Sequence, residues 1–327
     1  MNKETGPGNG QDTNYDVVVV GGGAAGLSAA TVLARACRSV AVIDAGRPRN
    51  EQAGGVHGFL SRDGMPPREL LAVGRQELER YGGRVVPGNA VGARRRGNGF
   101  EVALETGALI SARRLLVTSG LTDELPDVPG VRERWGNDVV HCPYCHGWEI
   151  RGQAIGVLAS GPVAVHQALT FRQWTDNLTL FLHTTDAPPP DQAEQLAARG
   201  IEVVPGVVER LEITDGRLHG VRLRDGRVFA RQAIVVGPRM VAVSPVLESL
   251  GLKPVAHPMG SEVAEVYAAD PNGATEIKGV WVAGNVCDIA AQVISAAAQG
   301  MFVAAAVNAD LTSEETQADV MRAREVA

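Results

Sequence analysis

The chain has 327 residues, 45% hydrophobic and 21% charged, with a formal net charge of −6. That length and apolar content suit one large or two ordinary globular domains. The acidic balance leaves only Arg94, Arg95 and Arg96 as a basic run, beside Gly97, Asn98 and Gly99, which reads as a solvated turn between strands and not as a nucleic-acid surface. No uninterrupted apolar run approaches the roughly 20 residues of a bilayer span, so no membrane role is expected.

The first segment, MNKETGPGNGQDTNYD, is polar and Gly-rich without an apolar h-region. Residues 1–14 are therefore expected to be a disordered lead-in and not a secretory signal. From Tyr15 the run YDVVVV predicts a strand buried on both faces. GGGAAG follows, then LSAATVLARACRSV, a helix with small residues toward the strand, and VAVID, a second strand ending at Asp44. Gly21, Gly23 and Gly26 thus fall in a G-x-G-x-x-G between strand and helix, with Asp44 18 residues after Gly26. Each glycine has a separate purpose: Gly21 for a tight turn, Gly23 for close approach of backbone to a pyrophosphate, Gly26 for helix–strand packing. Ala24 and Ala25 open a helix whose N-terminus favours phosphate charge, and Asp44 can accept from a ribose hydroxyl. A dinucleotide site is expected here.

Farther along stands HCPYCHGWE, His141 to Glu149. C-x-x-C-H is a c-type haem attachment pattern, closely spaced His and Cys are zinc ligands, and C-x-x-C is also a redox dithiol. A structural zinc needs four ligands, and the remaining cysteines, Cys37 and Cys287, are isolated. With only four cysteines the chain is no disulfide scaffold, and a reducing, cytoplasmic compartment is expected. In the dithiol reading Pro143 suits a first helical position and sets Cys142 at a helix N-terminus, where a thiolate is stabilised. His146, with an ordinary pKa of about 6.5, suits proton transfer near neutrality; His141 is a weaker candidate for the same work.

Beyond residue 154 the order of strands, turns and helices recurs: AIGVLASGPVAVHQALTFRQW, NLTLFLHTTD, then GRLHGVRLRDGRVFARQAIVVGP. Asp215-Gly216 and Asp225-Gly226 read as hairpin turns. The fold class expected is α/β with two Rossmann-like dinucleotide-binding-type domains, the second inserted into the first. Residues 15–122 and 245–311 form the discontinuous outer domain and 123–244 the insertion. Near the end, GVWVAGNVCDIAAQVISAAAQG predicts a buried strand, then Gly284-Asn285 and an Ala-rich helix. Residues 312–327 read as a separate terminal helix capped by Thr312, with Glu315 in the capping-box position. Cys37 and Cys287 are read as packing residues, while His166, His183, His219 and His257 have no evident partners.

Strand, glycine turn, acid, the closing Gly284-Asn285 helix and the C-x-x-C at the head of the inserted unit together resemble the low-molecular-weight thioredoxin reductases, over Tyr15 to Leu311. The resemblance implies FAD as cofactor and a homodimer. It implies contacts to FAD from Gly21, Gly23, Ala24, Ala25, Gly26, Asp44 and Ala45, and from Arg49 and Asn50 in the loop RPRNE. It extends to His57 in HGFLSRDG, to Ser119 and Gly120 closing LLVTSG, and to Gly284, Asn285, Gln292 and Val293. Asn285 departs from the family's usual Asp. The flavoprotein frame disfavours haem and zinc. It implies Cys145 as the flavin-proximal sulfur and Cys142 as the exchange sulfur, with His146 where the reductases carry an acid.

Two departures concern NADPH. The second phosphate turn reads Ala159-Ser160-Gly161-Pro162-Val163-Ala164, with no first glycine and with a proline that removes an N–H. His183-Thr184-Thr185-Asp186 stands where the family carries a basic cluster for the 2′-phosphate, so a fixed cation is not expected there. Loss of the NADPH site, together with C-x-x-C-H, resembles the branch of dithiol oxidases that close disulfides in gliotoxin-, holomycin- and romidepsin-type natural products. Such an enzyme takes electrons from a small-molecule dithiol through the cysteine pair and FAD to molecular oxygen, releasing hydrogen peroxide. A disulfide reductase fed by NADPH or ferredoxin and a non-catalytic flavin redox sensor are the competing readings.

Overall fold

The computed structural model describes residues 14–326, so the expected disordered lead-in lies outside the described residues except for Asn14, which begins the first strand. In chain order come β1 (Asn14–Val20), α1 (Ala24–Arg35), β2 (Val40–Asp44), α2 (Pro67–Arg80) and β3 (Arg84–Pro87), followed by β4 (Ala90–Arg96), β5 (Gly99–Leu104) and β6 (Leu109–Val117). They make one sheet in the order β3-β2-β1-β6-β5-β4. β1 pairs in parallel with β2 and β6, whereas the β4–β5 hairpin enters antiparallel. The unbroken apolar run of β1 has the reason expected of a strand covered on both sides. Val17 and Val19 pack among α1 side chains such as Leu27 and Leu33, while Val18 and Val20 join Phe100, Val102 and Leu115 on the other face.

The middle of the chain builds a second parallel sheet. Its elements are α3 (Val131–Arg134), β8 (Val139–Val140), α4 (Pro143–His146), β9 (Ile155–Leu158), α5 (Ala164–Phe171), β10 (Leu178–Phe181), α6 (Pro190–Ala198) and β11 (Glu202–Val204). A three-stranded antiparallel sheet, β12 (Val208–Thr214), β13 (Arg217–Leu223) and β14 (Val228–Ala230), then leads back to β15 (Ala233–Val236). The parallel order is β11-β10-β9-β15-β8. Asp215 and Gly216 have φ of 50° and 71°, the two positive values that the short β12–β13 hairpin turn requires. The two crossings between the parallel sheets lie side by side: β7 (Thr122–Glu124) pairs antiparallel with β16 (Arg239–Val241), in register Asp123 to Met240.

After α7 (Pro245–Ser249), β17 (Val255–Ala256) and β18 (Ala264–Val266), the chain returns to the first sheet. β19 (Val280–Val282) adds in parallel to β6, and a short 3₁₀ turn over Gly284–Val286 precedes α8 (Val293–Val326). α8 crosses α1 at backbone distance: a Cβ on Gly300 would lie 2.1 Å from the Ala25 carbonyl oxygen.

α8 corrects two expectations. It is a single helix of 34 residues, and Thr312 caps nothing; its hydroxyl donates to the Asn308 carbonyl within the helix. Glu315 accepts from Arg38 and Arg113 instead, both at 2.6 Å, and the buried Arg114 side chain reaches Asp310 and Glu314. These cations sit on the sheet side, so the charged second half of α8 is continued by ion pairs where the Ala-rich first half is held by packing. By length and composition α8 is also long and apolar enough to cross a membrane, which the reading of uninterrupted runs did not register. Ala296, Gly300, Val303, Ala304, Val307 and Leu311 of this helix are buried inside the protein.

Candidate active site

The G-x-G-x-x-G turn is assembled by steric exclusion. Gly21 has φ of 108°, and a Cβ there would lie 2.5 Å from the Thr118 carbonyl oxygen; a Cβ on Gly26 would lie 1.9 Å from the Gly21 carbonyl oxygen. At Gly23 an added Cβ meets nothing within 4 Å. Backbone is therefore packed at two of the three glycines and open at the third, in front of the N-terminus of α1. Thr118, absent from the sequence reading, locks the turn by donating its hydroxyl toward the carbonyls of Val20 and Gly21. Asp44 is already engaged: Oδ1 accepts from the Gly22 amide at 3.1 Å and Oδ2 from Arg75 at 3.0 Å. Each carboxylate oxygen keeps a second lone pair for a ribose hydroxyl. Arg75, half-buried on α2 and turned toward Asp44, had no signal in a single sequence.

Gly284 comes to this turn from the other end of the chain, its notional Cβ 3.0 Å from that of Ala25. The Gly284 amide donates to Gln299 Oε1 at 3.0 Å. Asn285 is turned inward, Nδ2 donating to the carbonyls of Asp288 and Ala291 at 2.9 Å each. Its amide thus shapes the loop before α8, and Oδ1, 3.5 Å from Arg49 Nη1, keeps a second lone pair for a ligand hydroxyl. Gln292 and Val293 lie at the N-terminus of α8, where the first amides of a helix have no intrahelical acceptor. The open backbone at Gly23, the remaining lone pairs of Asp44 and Asn285 and this helix end fit an FAD. Ser119 and Ala45 are exposed at the ends of β6 and β2, and Gly120 has φ of 74° with open space beside it.

Arg49, expected in the loop over the nucleotide, also has protein partners. It forks onto Asp123 of β7, at 2.8 and 2.6 Å, with Asn285 Oδ1 at 3.5 Å. Arg49 therefore ties the loop after β2 to the crossing strand, and Asp123 was missed by sequence reasoning. Asn50 accepts the Ala53 amide through its carbonyl, a local turn. His57 is bracketed by carboxylates, with Asp63 3.5 Å from Nδ1 and Glu149 3.5 Å from Nε2.

Cys142 and Cys145 form a disulfide, with Cα atoms 5.3 Å apart. Cys142 is the N-cap of α4 and Pro143 follows at its first position, as expected, but α4 is one turn of four residues. Few peptide dipoles align over one turn, so stabilisation of a Cys142 thiolate falls mainly to neighbouring charged groups. Gly147 is needed at the end of α4 because a Cβ there would lie 2.7 Å from the Trp174 ring. His146 is inward: neither ring nitrogen has a hydrogen-bond partner. Burial lowers its pKa, opposed by Glu149 and reinforced by His57. A neutral imidazole whose two ring nitrogens are buried without a partner, next to a reducible disulfide, is a proton acceptor in waiting. His141 is also held neutral, by burial and then by Arg49. Its Nδ1 faces Val236 O at 3.3 Å and Gln167 Nε2 at 3.4 Å, a fixed position against β15. Cys287 packs against the apolar core, and burial pushes its thiol up to about 12.

In the second unit, Ala159 is buried after β9 and Ser160 Oγ donates to the Gly237 carbonyl at 2.9 Å. Gln167 of α5 reaches under the turn, with Nε2 on Val236 O and its side chain 3.2 Å from where a Gly237 Cβ would stand. His183 has φ of 51° and accepts the Val208 amide at Nδ1; its partner is structural. One expectation is amended. Arg224 stands close enough to His183 to add to the lowering of its pKa by burial, so a cation does approach this region, from the β13–β14 turn. Among the described residues no cluster of His, Cys, Asp and Glu has metal-binding geometry.

The model of the pyridine nucleotide-disulphide oxidoreductase family matches residues 15–300. The chain is 29% identical to thioredoxin reductase tcpT of Claviceps purpurea, over 92% of this chain and 97% of the relative. It is 29% identical to thioredoxin reductase sirT of Leptosphaeria maculans, over 90% and 93%. Among solved structures, HlmI superposes with a TM-score of 0.90 at 44% identity, covering 98% of this chain and 100% of HlmI. An oxidoreductase from Agrobacterium tumefaciens gives 0.85 at 35% identity, covering 91% and 99%. With the glycine turn, the returning Gly284 strand and the Cys142–Cys145 disulfide on one frame, the chain belongs to the pyridine nucleotide-disulphide oxidoreductase family, as a thioredoxin-reductase-like flavoprotein oxidoreductase.

Proposed function

We propose that the protein is an FAD-dependent dithiol oxidase that closes a disulfide in a small molecule and delivers the electrons to molecular oxygen. The observation that carries this reading is the second phosphate turn. Ala159 replaces the first glycine, Pro162 has no N–H, Ser160 is spent on Gly237, and His183 faces Val208. Such a turn offers a nicotinamide dinucleotide few backbone donors, so electrons enter elsewhere, and the exchange-ready pair Cys142–Cys145 is the available entrance.

A substrate thiolate attacks Cys142 Sγ, the Cys142–Cys145 bond breaks, and Cys145 leaves as thiolate. The second substrate thiol gives its proton to His146, attacks the mixed disulfide and displaces Cys142. The product disulfide departs, leaving two electrons on the cysteine pair as two thiolates and the proton on His146. Bound FAD supplies the acceptor for that electron pair; the chain would hold it with Gly23 and the α1 N-terminus at the pyrophosphate, Asp44 at a ribose, and Asn285, Gln292 and Val293 toward the ribityl chain and ring. With oxygen as final acceptor, a dithiol and O2 give a disulfide and hydrogen peroxide. A second copy of the chain is the expected protein partner, in a cytoplasmic setting.

The flavin-loaded protein mixed in air with a small dithiol such as dithiothreitol should form peroxide in step with disulfide. Cys142→Ser and Cys145→Ser should each abolish this while retaining the yellow cofactor, and His146→Ala should slow it about 100-fold. Rapid anaerobic bleaching of the flavin by NADPH would instead establish a reductase, and silence toward both donors would leave a redox sensor.

A further inference from the structure

Residues 284–291 are closed on themselves by hydrogen bonds, and Asp288 is their hub. Its amide donates to the Gly284 carbonyl at 3.0 Å, and its carbonyl accepts from Asn285 Nδ2 and from the Ala291 amide. Oδ1 accepts the Ala290 amide at 3.0 Å, and Oδ2 accepts Gln299 Nε2 at 2.5 Å. Gln299 stands two turns into α8 and turns its Oε1 back to the Gly284 amide. One side chain thus joins the turn at Gly284 and Asn285 to the helix that begins at Val293. The partners fix how each amide side chain is oriented. At Gln299 the Gly284 N–H needs an oxygen and the Asp288 carboxylate needs an N–H. At Asn285 two carbonyls, each 2.9 Å from Nδ2, accept only from an NH2 group. A carboxylate of the same shape at position 285 would face both carbonyls with no proton between them.

We propose that Asp288 and Gln299 are positioning residues for FAD, and that Asn285 acts with them through its NH2 group. Together they hold the turn at Gly284 and Asn285 and the first residues of α8 at one spacing. The two edges of the site that fit the ribityl chain and ring are thereby set against each other before the cofactor enters. Fixing them in advance removes an ordering cost from binding, which raises affinity without any further contact to the ligand. The opposing view gives Asn285 a single task, to offer Oδ1 to a ligand hydroxyl. An aspartate would perform that task as well as asparagine, whereas it cannot donate to the carbonyls of Asp288 and Ala291. The inference rests on the FAD of the proposed function but not on oxygen or on the direction of electron flow.

The test measures the FAD dissociation constant of the flavin-loaded full chain, by the return of free-flavin fluorescence on serial dilution. Asn285→Ala should raise it about ten-fold, and the isosteric Asn285→Asp about 100-fold, because repulsion is added to the two lost donors. Binding by Asn285→Asp as tight as by Asn285→Ala, or tighter, would overturn the proposal. Gln299→Glu sets two carboxylates against each other, and Asp288→Asn sets two NH2 groups against each other; each should raise the constant about ten-fold. In the double variant the new amide at 288 can donate to the new carboxylate at 299, which still accepts the Gly284 amide. Its constant should therefore return to within about three-fold of the parent's. Single variants that bind like the parent, or a double variant as weak as the two losses combined, would leave the bracket without a part in cofactor binding. Circular dichroism shows which variants fold, and a double variant that folds and binds where a single one does not is the same rescue. Peroxide formation is not read, so failure of the oxidase reading leaves this result standing.

Discussion

The two strand–turn–helix units of this chain occupy equivalent places in their sheets yet treat backbone differently. In the first, Gly21 and Gly26 are pressed against Thr118 and each other, and Gly23 stays open. In the second, Gly161 is open as well, but Pro162 has no N–H, Ser160 binds Gly237, and Gln167 reaches Val236 O beneath the turn. Both units keep their parallel register, β1 with β2 and β9 with β10. Strand pairing and helix packing are thus sufficient for the fold, whereas a bound phosphate also needs unobstructed N–H groups. A βαβ unit can lose the second property without disturbing the first.

Substitutions at the glycines separate these two properties. The largest effect is expected at Gly26, where a methyl group would fall 1.9 Å from the Gly21 carbonyl oxygen. Gly26→Ala should cost about 3 kcal/mol in urea unfolding and give a colourless protein; a yellow protein of ordinary stability would break the argument for packing at this site. Gly23→Ala and Gly161→Ala make a sharper pair, since neither added methyl meets anything within 4 Å. Both should unfold within about 0.5 kcal/mol of the parent. Only Gly23→Ala should lose flavin absorbance, and equal flavin content in the two would erase the distinction drawn between the turns.

The smallest effect is expected from the clamp on α8. Arg38 and then Arg113 hold the Glu315 carboxyl down to about 2. A carboxyl depressed on folding contributes stability that is present above its ordinary value of about 4.5 and is lost as pH falls toward 2. The Glu315 carboxylate is solvent-exposed, so the contribution is below about 1 kcal/mol. Melting temperatures of Glu315→Gln should converge with those of the parent as pH falls through that window; a constant gap would assign the loss to packing.

Much of the frame was legible because its signals are local. An apolar run of β-branched residues, glycines at fixed spacing and an acid at the next strand end predict β1, the turn and β2, and Pro143 places Cys142 at an N-cap. The end of the chain was misread for a related reason. Thr312 followed by Glu315 carries a helix-start pattern, but Arg38, Arg113 and Arg114 supply long-range partners that keep the helix going, and a local rule cannot weigh them. Arg49 and His57 were found as candidates, but their partners Asp123 and Glu149 were not, since these lie far from them in sequence.

By itself the sequence settles which residue types are available: a glycine turn that can face a phosphate, a second turn with Ala159 at its first position and Pro162 within it, and two cysteines spaced to pair. Those properties follow from covalent chemistry and short-range sterics, which do not depend on the rest of the chain. The tertiary structure decides which groups share a space. It sets Gly284 against Ala25, leaves His146 buried without a partner, and brings Glu149 to His57. Desolvation and charge–charge coupling depend on distance in space, and only the folded chain sets those distances.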